Sequence, residues 1–169
     1  MKIYTLKRRQ TFELPRREVF EFFEKPENLE RITPDSVGFN ILTPRPIKMK
    51  AGTVLDYTIR VLGLPVRWTT LICEYEPPGR FADVALRGPY SFWHHTHTFE
   101  EDGGVTVMTD EVRYALPFGP IGRLVHSLWV RRQLDYIFDF RARVIDDLLS
   151  KSPGGKPADD THSRREPTK

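Results

Sequence analysis

The feature that most constrains this chain is a change of period. From Val37 to Tyr114 apolar and polar residues alternate in twos; after Pro120 the apolar residues recur every three or four. Alternation in twos builds strands with one buried face, and a repeat of three to four builds a helix with one buried stripe. The alternating region is broken at Pro44–Pro46, Gly63-Leu64-Pro65, Pro77-Pro78-Gly79, Gly88-Pro89 and Asp102-Gly103-Gly104. Glycine permits positive φ and proline fixes φ, so each break reads as a turn. Strands are therefore expected at 37–43, 53–62, 65–76, 80–87, 91–100 and 105–115. Their short spacers imply a meander of antiparallel hairpins.

Ahead of the alternation, residues 3–12 read as a first strand. Pro15 suits the entry to a helix, and Val19, Phe20 and Phe23 carry helical spacing over 16–24. Leu29 and Ile32 mark a second short helix from Pro26 to Ile32. After the strands, Ile121, Leu124, Val125, Leu128, Leu134, Phe138, Val144, Ile145, Leu148 and Leu149 form a stripe that predicts one helix over 121–149. At 1.5 Å per residue it spans roughly 43 Å, enough to lie across a whole sheet. The order predicts an α+β fold: a curved antiparallel sheet of about seven strands, two short helices after the first strand, and a long C-terminal helix on one face.

The chain has 169 residues, 39% apolar and 29% charged, which suits a single globular domain, placed at 1–149. The segment 150–169 has no large apolar residue and is expected to be a disordered charged tail. Its last 19 residues hold five Lys/Arg and three Asp/Glu, so two of the three net positive charges lie there. A nearly neutral body lacks the basic face that nucleic acid requires. No run reaches the roughly 18 apolar residues of a membrane span. The start, MKIYTLKRRQ, has no apolar stretch of a secretory signal, so a cytoplasmic location is the default expectation. A single cysteine, Cys73, excludes an internal disulfide and a cysteine-rich metal site.

The polar residues of the last hairpin carry the chemistry. If Glu101 and Gly104 flank a two-residue turn, His95 faces Asp110, His97 faces Met108 and Trp93 faces Val112. Trp93, His95, His97, Phe99, Met108 and Asp110 then share one face, and the aromatic residues mark it as the inner one. A turn at Gly88-Pro89 sets Asp83 opposite His95 and Phe81 opposite His97. Trp68, Thr70 and Ile72 alternate on the next strand, with Tyr57 and Ile59 beyond it. The result is an apolar floor crossed by a polar stripe, the composition of a small-molecule pocket. The candidate ligand-binding residues are Tyr57, Trp68, Phe81, Asp83, Trp93, His95, His97, Met108 and Asp110.

Carboxylates on both sides favour a charged histidine, and burial opposes it. The stripe can be a satisfied hydrogen-bond network that orders the cavity. It can also act as an acid/base pair on a bound enol, ketone or hydroxyl. His95 and His97 with Asp83 or Asp110 have the composition of a zinc site. The network is the simplest of the three, and neither a metal nor an organic cofactor is expected. Leu128 and Phe138 are expected to face the sheet, and Trp129 to be half-buried. Arg141 is either a surface charge or the partner of an inner acid.

Beyond element order, particular stretches carry a family resemblance: Pro26-Glu27-Asn28-Leu29 with Ile32-Thr33-Pro34, Gly52-Thr53, Trp68, Pro77-Pro78, Phe81, Asp83 and Gly88-Pro89-Tyr90. The strand Trp93-x-His95-x-His97-x-Phe99 follows, then Met108, Asp110, Tyr114, Leu116-Pro117-Phe118-Gly119 and Phe138. Together they resemble the START/SRPBCC superfamily, which includes Bet v 1-like proteins related to the birch-pollen allergen and polyketide cyclases. The resemblance is to a bacterial ligand-binding branch and covers residues 1–149. It implies the helix-grip fold and a hydrophobic or amphipathic small molecule held between sheet and long helix, in a carrier or sensor. It brings no shared catalytic residues. The first alternative is an enzyme of the polyketide cyclase, aromatase or dehydratase type using a His–Asp pair. The second is a surface-mediated interaction module, through Trp129, Arg131 and Arg132; no particular protein partner is implied.

Overall fold

The alternating region folds as expected, into hairpin after hairpin of one antiparallel sheet. The structure, a computed structural model, describes residues 1–150. The strands are β1 (Tyr4–Phe12), β2 (Asn40–Ile41), β3 (Val54–Val61), β4 (Leu64–Glu76), β5 (Arg80–Arg87), β6 (Phe92–Asp102) and β7 (Val105–Ala115). They form a curved seven-stranded sheet in the order β1-β7-β6-β5-β4-β3-β2, so the first strand closes against the last. Two short helices, α1 (Arg16–Phe23) and α2 (Asn28–Arg31), follow β1. A helical run then crosses the concave face: α3 (Gly119–Val125), a π-helical stretch (His126–Val130) and α4 (Arg131–Ser150). This is an α+β helix-grip architecture. The tail expected at 151–169 lies outside the described residues.

Three local expectations are corrected. The strand expected over 37–43 shrinks to Asn40–Ile41. Gly38 at φ 55 ends a 3-10 turn at Asp35–Val37 and leaves little chain before the prolines. The last hairpin turns one residue later than expected. Asp102 pairs with Val105, and Gly103 (φ 58) and Gly104 (φ 83) take the turn, because a tight hairpin turn needs positive φ at both central positions. His97 therefore faces Asp110, Phe99 faces Met108 and Trp93 faces Tyr114. The pairing moves by two residues, so every side chain keeps its expected face. The Gly88-Pro89 register stands as expected: Asp83 faces His95 and Phe81 faces His97.

The third correction concerns the long helix. Ile121 is 67% exposed, Leu124 59% and Leu128 63%, so the first half of the expected stripe faces out. The buried positions are Gly122, His126, Val130, Leu134 and Phe138, followed by Ile145 and Leu149. In a straight α-helix, residues four apart drift around the axis by about 40° per step. The π-helical stretch holds more residues per turn and offsets that drift, so an i,i+4 series stays on the sheet. His126 takes an inward place that a leucine was expected to take. Its Nε2 lies 2.9 Å from the Tyr114 hydroxyl, and its ring stacks on Tyr4 at 3.5 Å.

Two solid cores flank the middle of the sheet. Under α1 and α2, Phe12, Val19, Phe20, Phe81, Phe99 and Met108 pack together, with Phe20 edge-on to Phe99 (5.3 Å) and to Phe81 (5.8 Å). At the other end, Leu6, Val112, Tyr114, Val130, Leu134 and Phe138 close the gap between β1, β7 and the helix. Arg8 clamps α4 to the edge strand, reaching Asp135 at 2.6 Å and Asp139 at 3.2 Å. Gln10 adds a bond to the carbonyl of Ala142 at 2.8 Å.

Candidate functional site

Between these cores the sheet and α4 stand apart around a cavity of about 170 Å³. Each strand contributes through its period of two. β3 supplies Leu55, Tyr57 and Ile59; β4 supplies Trp68, Thr70 and Ile72. β5 supplies Phe81 and Asp83, β6 supplies Trp93, His95 and His97, and β7 supplies Asp110. α4 roofs it with Leu134, Phe138 and Arg141. Eight of the nine residues singled out in the sequence thus line one cavity. Met108 does not. It is 2% exposed and packs into the phenylalanine core opposite Phe99, where the register of the last hairpin puts it.

Aromatic rings form the floor. Trp68 stacks on Tyr57 (5.9 Å) and meets Trp93 edge-on (5.1 Å). Gly88 makes room for the indole: a Cβ there would sit 3.3 Å from its Cδ2. The Trp68 Nε1 is buried and has no hydrogen-bond partner among the described residues. The Tyr57 hydroxyl lies 3.2 Å from Thr70 Oγ1, and burial pushes its pKa well up.

The polar stripe is compact. One oxygen of Asp110 lies 3.1 Å from His95 Nε2 and 2.6 Å from His97 Nδ1. The first contact is a hydrogen bond; the second is a close approach off the ring N–H direction. On the other side, His95 Nδ1 lies 3.7 Å from Asp83 Oδ2. All four side chains are nearly shielded from water, so desolvation competes with pairing at each. Burial, aided by His97, lowers His95 to about 4 despite its bond to Asp110. Burial raises Asp83 to about 6, against the pull of His97 and Arg141. Asp110 is also desolvated, yet the close approach of His97 and the bond from His95 hold it well below the usual carboxylate range. The expectation of a charge-biased His95 is resolved in favour of burial. At neutral pH His95 is a neutral imidazole, Asp110 an anion, and Asp83 an acid within reach of its proton.

Asp83, His95 and His97 each offer a ligand atom within 4.8 Å of the others. That is a metal-binding composition, looser than the roughly 3.4 Å ligand separation that bonds near 2.1 Å impose. Asp110 would then orient both imidazoles from behind.

Arg141 settles as an inner residue. The residue as a whole is half-buried on the cavity wall, and its Nε is fully shielded without a partner among the described residues. Its Nη2 makes one long contact to Thr33 Oγ1 at 3.4 Å, and the guanidinium lies 5.2 Å over the Phe138 ring. The sequence signal is slight: Arg141 lies three residues after Phe138, which puts it beside the buried stripe.

A second, outer groove of about 310 Å³ meets the cavity at Val37, Ile59, Tyr90, Leu134 and Ile137. Its rim carries Leu62 and Phe118, exposed and both at positive φ, together with Ile121 and the half-buried Trp129. No helix among the described residues is long and apolar enough to cross a membrane.

No family model and no curated relative matches the sequence. Solved structures do. TTHA0849 from Thermus thermophilus superposes with a TM-score of 0.70 at 15% identity, over 89% of this chain and 99% of that one. The di-domain ARO/CYC BexL of the BE-7585A biosynthetic pathway gives 0.67 at 15% identity, over 89% of this chain and 51% of that one. A START superfamily protein from Mycobacterium smegmatis gives 0.63 at 10% identity, over 85% and 98%. At such identities the likeness is one of fold, and it agrees with the resemblance carried by the sequence stretches: this chain has the helix-grip fold of the START superfamily.

Proposed function

We propose that this chain binds a largely apolar small molecule, about the size of one substituted ring, between the sheet and α4. The Asp83–His95–His97–Asp110 stripe orients it. The observation that carries this reading is the gap itself. The helix and sheet pack solidly on both sides of it, yet about 170 Å³ stays open between Trp68, Ile72, Trp93 and Phe138. An engineered apolar cavity of about 150 Å³ takes up benzene, which sets the scale of the ligand. Leaving such a volume unfilled costs on the order of 4 kcal/mol at the coefficient found for buried leucine truncations. That is a large share of the roughly 5–15 kcal/mol stability of a small domain. Extraction of freshly purified protein with organic solvent, followed by mass spectrometry, tests it. A ring-sized compound at near-stoichiometric amount is expected. Well-folded protein that yields none, and takes up no ring-sized probe, contradicts it.

A second reading, proton-transfer catalysis on the bound molecule, is favoured by one observation. Asp83 at about 6 and His95 at about 4 reverse the usual order of carboxylic acid and imidazole. Groups whose environments push their pKa values apart divide into acid and base, here Asp83, which keeps its proton up to about pH 6, and neutral His95. His95→Gln would then keep ligand binding and lower turnover by about 10²-fold or more. A ligand recovered chemically unchanged after prolonged incubation leaves the site a carrier or sensor.

A further inference from the structure

Arg141 lines the cavity from α4 and has no anion to pair with among the described residues. No carboxylate of the described residues lies within 4.0 Å of its guanidinium, although Asp83 and Asp110 are close enough to act on it through space. Asp110 is occupied by two imidazoles, and Asp83 faces His95. Desolvation pushes the guanidinium's pKa down. A guanidinium is nonetheless always protonated in practice, so a charge remains in a largely apolar chamber. Its Nε has no partner and its Nη2 only a 3.4 Å contact to Thr33. A carboxylate in the cavity would give this guanidinium the charged hydrogen-bond acceptor that the described residues do not supply. The Trp68 Nε1, in a residue only 5% exposed that lines the same cavity, is a second buried donor with no acceptor among the described residues. A buried donor left unpaired is destabilising, and both residues line the cavity that a ligand would fill.

We infer that the molecule held in this cavity carries a carboxylate, or a comparable planar anion, that pairs with the guanidinium of Arg141. The ligand class is a ring-sized organic acid rather than a neutral hydrocarbon. This rests on the cavity being a binding site, and it adds a specificity-determining residue to it. Asp83 and Asp110 do not forbid an anion, because neither comes within ion-pair distance of the guanidinium and Asp110 is already engaged by its two histidines.

Calorimetric titration of the full chain at pH 7.5 with benzoate and with benzyl alcohol, two probes of one ring size, tests this. Benzoate is expected to bind at least about tenfold more tightly than benzyl alcohol. Arg141→Gln is expected to erase that preference and leave benzyl alcohol within about twofold; Arg141→Lys, which keeps the charge but loses the planar edge, falls between. Benzyl alcohol binding as well as benzoate to the wild type overturns the anion assignment and leaves the cavity reading standing. An unchanged preference in folded Arg141→Gln overturns the role of Arg141. Binding of neither probe overturns both readings. The wild-type comparison decides the ligand class even if the variants fail to fold.

Discussion

The same sheet, with the same alternation, is solid under α1 and open in its middle, beneath the centre of α4. Along β6, Phe99 faces the solid end, and His97, His95 and Trp93 face the open middle. At the solid end, rings meet rings: Phe20, Phe81 and Phe99 fill the space edge-on. Two and four residues before Phe99 on β6, two imidazoles take the inward places, β5 and β7 set a carboxylate on either side, and α4 answers with an arginine. Polar groups at inner positions must be paired, which fixes their geometry and keeps apolar side chains from collapsing into the gap. The ends of the grip serve stability, and its middle gives that up to hold a cavity.

Substitutions break or sharpen this contrast. Phe99→Ala removes the centre of the solid end and is expected to cost about 3–5 kcal/mol in urea unfolding, with ring-sized probes still bound. A cost near zero would mean that this end is as loose as the middle. Asp110→Asn removes the anion shared by His95 and His97 and is expected to cost about 1.5–3 kcal/mol, the range for hydrogen bonds to a charged group. Because Asp110 sits low, its contribution is present at all pH above the ordinary carboxylate range and is lost only on strong acidification.

The pH dependence sharpens the contrast further. His95, lowered from 6.5 to about 4, takes its proton more readily in the unfolded chain, so stability falls as pH drops through that window. Asp83, raised from 3.8 to about 6, keeps its proton in the folded chain, so stability falls as pH rises through the same region. Between about pH 4 and 6 the two slopes oppose each other. Asp83→Asn removes one. The stability of the variant relative to wild type is then expected to rise with pH by up to about 1.4 kcal/mol per unit, measured by denaturant unfolding at several pH values. A difference that does not change with pH would contradict the reversed order of the pair. At the small end, Leu128→Ala on the exposed side of the π-helical stretch should change stability by less than about 0.5 kcal/mol.

Which residues face inward is largely legible in the sequence, because a period of two survives errors of register. Placing the turn one residue early moves the partner of Asp110 from His97 to His95, but leaves both on the same face. Double glycine is the signal that decides it: a turn that needs positive φ twice prefers Gly103-Gly104 to Asp102-Gly103. The helix is harder. Its apolar residues mark a stripe only if the winding is uniform, and the π-helical stretch turns Leu124 and Leu128 outward while His126 turns in. Met108 reads as cavity wall because alternation gives the face of a residue but not its distance along the groove. Arg141 is undecided in the sequence because an arginine beside a buried stripe can snorkel to water, and only the roof of the cavity shows that it does not.

The most direct test follows the methyl groups of isoleucine, leucine and valine by carbon-13 NMR while benzyl alcohol is titrated in. The account predicts saturable shifts at Leu55, Ile59 and Ile72, which line the cavity, and none at Leu14, Val19, Leu6 or Val112 of the two solid cores. Shifts spread evenly over the cores, or no saturable shift at the cavity methyls, would contradict the claim that this grip is closed at its ends and open to a ligand in the middle.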